Sequence, residues 1–421
     1  MIQQIKLLLL LAVILAFFPF TYHLYVQVAL AVVVLLMIIR GMSRGTIRMP
    51  AILNHYTIIM TLWFAWSLLS ILWVPDKSGW LYANGIHFTA WIHSLSLALL
   101  LKEKSFQRHL FKLLMGIIVV HNLIGWFEWL TLQQYFEATH LNYNLEYTMG
   151  NPMLFFSNIN DYALLMLFGV VLTLVWPPFQ AEQLRRKPWF YSLKIILLLS
   201  NLCLIYLVHS RGILFAALYS IVFIWIIGIS HQVIRRMLLI GIILLSAVTI
   251  LMFYTNIVEL LVQDGSFVVR YNLIRNGWHH LKMSDYIGVG AGNLEYYMAN
   301  FRYYPTADYN VMHNWWMGTL TAYGAGFFVI YGLYHAYAFI VSYLGGVNRQ
   351  SNGKLVATWL LGFIIAGMIP NTLFMFVWFW LIHNIIFSVF EASREEIIDE
   401  LVKSEDSISA LVGKKLRKLS S

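Results

Sequence analysis

Three residues sit where an apolar chain should carry little charge. Arg211, Arg270 and His313 each lie at, or just outside, the end of a long apolar run. Guanidinium groups offer forked donors to paired oxygens, which suits a diphosphate. A histidine that opens a helix feels the positive end of its dipole, and neighbouring arginines add to that field. Both effects hold the imidazole neutral, the form that acts as a general base near neutral pH. The group therefore points to chemistry on a phosphate-bearing lipid, with arginines binding the anion and His313 taking a proton.

Each residue also has a plainer reading. Arg211, in Ser210-Arg211-Gly212, joins two apolar runs with almost no loop between them. An arginine at the hydrocarbon centre costs about 2.5–3.5 kcal/mol, so it must face water, a cavity or a partner. It either snorkels to headgroups or opens a helix whose free N–H groups favour an anion. Arg270 and Arg275 are five apart, about 140° on a helix. One can hold substrate while the other holds the fold, or either can pair with Glu259, Asp264 or Asp285. Lys282 is a second-rank cation. Asn160-Asp161 opens another helix, either as a cap or, through Asp161, to orient a sugar or an arginine. Glu128, near the outer end of its run, is either a buried acid or an interfacial one. Gly288-Val-Gly-Ala-Gly292 lacks the βαβ setting of a dinucleotide fingerprint. It reads as a sharp turn for close packing, or as backbone amides for phosphate. His279-His280 competes with His313 but lacks metal-site spacing. Tyr296, Tyr297, Tyr303 and Tyr304 belong either to a glycan path or to an interfacial belt.

The elements that must position these residues are membrane helices. The 421 residues are 60% hydrophobic and only 11% charged, with mean hydropathy +0.71. Soluble domains carry about 25% charged residues. The expected fold is all-α and polytopic, with about twelve transmembrane helices at roughly 4–19, 22–39, 52–74, 83–101, 112–131, 160–177, 192–209, 212–230, 237–255, 313–341, 355–369 and 372–390. Residues 1–390 would form one GT-C-like domain with a large external loop, 256–312, and 391–421 an amphipathic cytoplasmic tail. The first run, preceded by Lys6, lacks a small-residue cleavage site and reads as a retained helix. With the N-terminus in the cytoplasm, only Lys77, Arg211, Arg270, Arg275, Lys282 and Arg302 of the 28 Lys and Arg fall outside. That asymmetry explains the formal charge of +9 without nucleic acid. Cys203 is the single cysteine and cannot form an internal disulfide.

On these motifs the chain resembles the O-antigen ligase and polysaccharide polymerase family of bacterial envelope glycosyltransferases. Ser210-Arg211-Gly212 resembles the family's first arginine. Arg270, followed by Gly288-Val-Gly290, resembles its second arginine and glycine turn. His313-Asn314 with Gly324 resembles its His-Asn motif with a downstream glycine. One departure is Gly324-Ala-Gly326, where the family often has its second glycine three residues on. The resemblance implies metal-independent, inverting transfer of a glycan from undecaprenyl diphosphate to an acceptor hydroxyl, with no cofactor. The acceptor would be a lipid A–core sugar, giving ligation, which the His-Asn motif favours; the alternative is a second lipid-linked repeat, giving polymerisation. His313 would take the proton and Arg211 and Arg270 would hold the diphosphate. Arg275, Lys282, Asp161, Asn314, Tyr303 and Tyr304 would assist binding. It implies a multi-pass protein of the bacterial inner membrane, both termini cytoplasmic and the active site facing outward. Protein-glycosylating relatives often carry a large external C-terminal extension, and a cytoplasmic tail disfavours that acceptor. The same arginines would serve a non-catalytic transporter or flippase of lipid-linked sugars. That alternative predicts charges deep in several helices or repeated halves, and neither is evident. A structural scaffold for envelope assembly has no positive signal.

Overall fold

A computed structural model describes residues 1–18, 22–132, 152–156, 158–175, 188–229, 265–346, 351–369 and 375–396, with scattered positions from 231 to 244 and position 398. Among them the regular structure is helical. The helices are α1 (Ile2–Phe17), α2 (His23–Ser43), α3 (His55–Leu69), α4 (Lys77–Leu100), α5 (Lys104–Thr131), α6 (Ile159–Val175), α7 (Pro188–Leu207), α8 (Arg211–Ile227), α9 (Gly265–Met283), α10 (Leu294–Asn300), α11 (Trp315–Gly346) and α12 (Ser351–Ala366). A further helix, α13, spans 377–396. Single turns at Met49–Ile52 and Ser70–Leu72 flank α3.

Five of these segments, beginning at His23, His55, Lys104, Trp189 and Trp315, are long and apolar enough to cross a membrane, and four shorter apolar helices join them. In lipid a spanning segment must satisfy its own backbone, which a helix does internally. The expected span at 237–255 lies largely outside the described residues, as do most of the external segment 133–160 and the tail beyond 398.

Two helices are apolar nearly all round and form the centre. From Asp161 to Thr173 every residue of α6 is buried, and so is α13 from Val377 to Phe390. Such a pattern belongs inside a bundle. By contrast α4 buries a polar stripe that includes Asn84, His87, His93, Ser94 and Ser96. It is tied inward by Ser67 Oγ to His87 Nδ1 (2.8 Å) and His87 Nε2 to the Tyr323 hydroxyl (2.9 Å).

Of the polar stretch 256–312, expected as a loop, residues 265–312 are described, and they include the helices α9 and α10. Its α9 buries Leu273, Asn276, Gly277, His280 and Leu281. That spacing of three, four, seven and eight marks one helical face. Polar Asn276 and His280 within that face hide the period from a hydropathy reading.

The largest departure from regular geometry is in α11. Gly324 adopts φ 83 and ψ 170, dividing the element into two helical parts. The break is filled by the glycine turn. Val289 N–H donates to Thr321 O and Gly290 N–H to Ala322 O, both at 2.9 Å, and Ala325 N–H donates to Tyr286 O at 2.9 Å. Carbonyls freed by the break are thus satisfied by backbone rather than left bare in an apolar setting. A Cβ on Gly324 would lie 2.5 Å from the Ile287 carbonyl, and one on Gly288 would lie 2.5 Å from Gly324 N. The turn is also held from α3 and the turn that follows it: Trp73 Nε1 donates to Gly288 O (3.0 Å) and Trp66 Nε1 to Tyr323 O (3.0 Å).

Candidate active site

His313 stands two residues before α11 in a left-handed conformation, φ 47. A non-glycine residue pays of order 1–3 kcal/mol there, and such strain concentrates at functional positions. The flanking structure enforces it. Asn314 Oδ1 accepts the Met317 N–H (3.0 Å), the bond of an N-cap. Trp315 N–H donates to Gly367 O at 2.7 Å, docking the helix start on the end of α12. Asn314 therefore caps and orients, and the side chain it orients is its neighbour.

The His313 ring is half-buried, and its Nδ1 is buried without a hydrogen-bond partner among the described residues. Tyr309 packs edge-on against it at 5.8 Å. Burial first, and then the charge of Arg270, push its pKa down to about 4. At neutral pH the imidazole is uncharged and has a lone pair to offer.

Arg270 and Arg275 separate as their five-residue spacing dictates. Arg270 acts on His313. Arg275 instead lies over the Tyr304 ring at 3.6 Å and within 5.7 Å of Tyr271, a cation–π arrangement. Tyr303 stacks on His279 at 4.5 Å, and Lys282 lies over Trp278 at 5.7 Å. Asn276 pins the tyrosine pair to α9: its side chain accepts the Tyr303 and Tyr304 N–H groups at 2.9 and 2.8 Å and donates to Tyr304 O at 2.9 Å. The competing histidine, His280, is driven down to about 4 by burial and by His279, and packs against Tyr297 at 5.5 Å.

Arg211 is exposed at the first turn of α8. Ser210 beside it donates to Asn160 Oδ1 (2.7 Å), so the Asn160-Asp161 helix start and the arginine start adjoin. Asp161 is buried there. Gly212 abuts Ile369, whose Cδ1 would lie 2.3 Å from an added Cβ. Two residues earlier, Gly367 receives the Trp315 N–H. Arg211, the end of α12 and the His313 turn thus share one end of the bundle. Arg211 stands in a cleft of about 410 Å³ shared with Tyr206, His209, Leu214 and Phe215, apolar along its length and cationic at this point.

Of the two positions open to Glu128 the buried one is found, and its Oε2 accepts the Met153 and Leu154 N–H groups, both at 3.0 Å. It fastens the short segment 152–156 to α5. The N–H groups of Gly288, Val289, Gly290 and Ala291 donate to Ser284 Oγ, Thr321 O, Ala322 O and Ser70 Oγ. Sequence reading passed over Tyr309 and the clamp that shapes its loop. Arg302 donates to Asp308 (2.9 Å) and to Asn310 Oδ1 (2.8 Å). Loop spacing carries no period, so nothing in the sequence marked them.

The O-antigen ligase family model matches residues 195–332, a span that contains Arg211, Arg270, the glycine turn, His313 and Gly324. The teichuronic acid biosynthesis protein TuaE of Bacillus subtilis (strain 168) is 23% identical over 360 residues, covering 79% of this chain and 70% of that protein. Together they support an O-antigen ligase/polymerase-type family for this multi-pass membrane chain.

Proposed function

We propose that this O-antigen ligase/polymerase-type membrane protein transfers a glycan from undecaprenyl diphosphate to an acceptor hydroxyl, by inversion and without a metal. The observation that carries the reading is His313: a strained, neutral imidazole whose buried Nδ1 has no partner among the described residues, beside the charge of Arg270.

The step balances as follows. The acceptor oxygen attacks the anomeric carbon while the bond from that carbon to the diphosphate oxygen breaks. The acceptor proton passes to His313, and the bonding pair leaves on the diphosphate. Arg270 and Arg211 stabilise the charge that grows there. The apolar cleft beside Arg211 suits a polyprenyl chain whose headgroup meets the guanidinium. A bound diphosphate offsets the Arg270 charge, so His313 becomes a stronger base when the donor is in place. Asn314 and the Gly367 carbonyl hold the His313 turn in register. In this reading the site faces outward from a bacterial inner membrane, with twelve spans and both termini cytoplasmic.

Two acceptors fit the chemistry. A lipid A–core sugar gives ligation; a second lipid-linked repeat gives polymerisation. The likeness to a protein of teichuronic acid biosynthesis favours the second. Reconstitution with undecaprenyl-diphosphate glycan, offering lipid A–core and a second donor molecule separately, tests both. A new glycosidic bond is expected with one of them. Movement of the donor across the liposome without any new bond would instead establish a transporter.

A further inference from the structure

A second cleft, about 560 Å³ in volume, opens between the start of α4 and α10. Asp76, Tyr82, Glu295, Tyr296, Asn300 and Asn310 line it. Its walls belong to the frame already described. Asn293 ties α10 to the α4 start, accepting Asp76 N–H (2.8 Å) and donating to Asp76 O (2.9 Å). Asn310 stands three residues before His313 and is braced from behind by Arg302 (2.8 Å). The cleft is therefore built on rigid backbone and abuts the loop that delivers the base.

Its chemistry differs from that of the donor cleft. Among the described residues the lining holds two carboxylates and no Lys, Arg or His. Asp76 is kept ionised by its bonds to Ser78 and Gly79, which lower its pKa. Such a cleft repels a diphosphate and disfavours acidic sugars. It offers what a neutral polyhydroxyl ligand uses: carboxylate and amide oxygens for hydroxyl donors, an amide N–H₂ for hydroxyl acceptors, and tyrosine faces for the apolar side of a sugar ring.

We infer that this cleft is a saccharide subsite for uncharged or amino sugars, holding the acceptor glycan so that its hydroxyl reaches His313. The inference rests on the glycan-transfer reading and extends it to a surface outside the cationic group.

The test uses the purified full-length protein and, as probes, fragments of two to four sugars released by mild acid from the envelope polysaccharide of the producing cells, sorted into uncharged and uronate-containing pools. Saturation-transfer NMR reads binding directly; donor-dependent transfer to the same fragments is read separately. Tyr296→Ala and Asn300→Ala, both partly or fully exposed and outside the catalytic group, are expected to raise KM for uncharged fragments roughly tenfold each, the size of a lost stacking or hydrogen-bond contact. kcat and undecaprenyl diphosphate binding stay unchanged. Glu295→Gln is expected to lift binding of the uronate pool relative to the uncharged one. If wild-type protein binds no uncharged fragment, or both alanine variants keep the wild-type KM, the subsite is refuted while donor chemistry stands. If fragments bind in the cleft but no glycosidic bond forms, the transfer reading falls and the saccharide site remains.

Discussion

Replacing Arg270 by Gln should move the acid limb of the pH–rate profile upward. His313 titrates near 4 instead of the ordinary 6.5, with burial the larger cause and the Arg270 charge the second. Removing the charge leaves burial in place. Only the smaller share of the fall from 6.5 to about 4 can therefore return, so the limb should rise by at most about one pH unit, or about 1.4 kcal/mol of proton affinity. The sign is fixed: a nearby cation disfavours the imidazolium, so its loss favours protonation and the base is titrated away at higher pH. The profile of kcat/KM is the right assay, because it reports groups in the free enzyme. Wild-type protein should hold its activity down to about pH 4–5. Arg270→Gln will also bind donor less well, which lowers the whole curve without displacing its limb. Arg275→Gln is the control. Its charge is spent over Tyr304 at 3.6 Å, and the limb should stay where it was. If Arg270→Gln leaves the limb in place, or both variants move it equally, Arg270 does not act on the base and the assignment of the pair is wrong.

Other outcomes follow from the same geometry. His313→Ala should retain donor binding, measured with undecaprenyl diphosphate, and lose about 10²–10⁴-fold in transfer, the usual contribution of a positioned base. Arg211→Ala should weaken donor binding by about 10–100-fold, equivalent to one or two charge-assisted hydrogen bonds, with the acid limb unmoved. Gly324→Ala forces a methyl to within 2.5 Å of the Ile287 carbonyl at φ 83. It should cost about 2–4 kcal/mol, seen as a lowered Tm in detergent. Gly326→Ala, which meets nothing within 4 Å, should be nearly neutral. Acidification should destabilise the external region. His280 is held near 4 in the folded protein against 6.5 unfolded, so the unfolded chain binds the extra proton between those values, and stability falls as pH drops through that window. Hydrogen exchange of α9 at pH 7 and pH 5 will show it.

Much of the architecture was legible because membrane helices are specified locally. An apolar run long enough to satisfy its own backbone in lipid announces itself, and the sequence marks at 4–19, 22–39, 160–177 and 192–209 meet helices α1, α2, α6 and α7 within a few residues, while α5 ends with the mark at 112–131 but begins eight residues before it, at Lys104. The charged interruptions at Arg211, Arg270 and His313 were visible for the same reason. A helical period could also say that Arg270 and Arg275 point apart. It could not say which of them meets the histidine, because that depends on where Tyr304 folds back along α9. The amphipathic period of α9 itself was masked by polar residues that face inward, Asn276 and His280.

The sequence alone therefore determined that the chain is helical and membrane-embedded, and that a few cations and one imidazole stand at its helix ends. Tertiary structure decided where those residues stand and what surrounds them. It placed the glycine turn into the broken helix, bonding Val289 and Gly290 to Thr321 and Ala322. It gave Asn314 a cap to make, left the His313 ring neutral and strained beside Arg270, and opened an acidic cleft between two helices that have no sequence relation to each other. The physical reason is range. Hydropathy and dihedral preference act over a few residues and leave a period in the chain, whereas lateral docking of backbone on backbone and the field of a distant guanidinium depend on three-dimensional distance, which no period records.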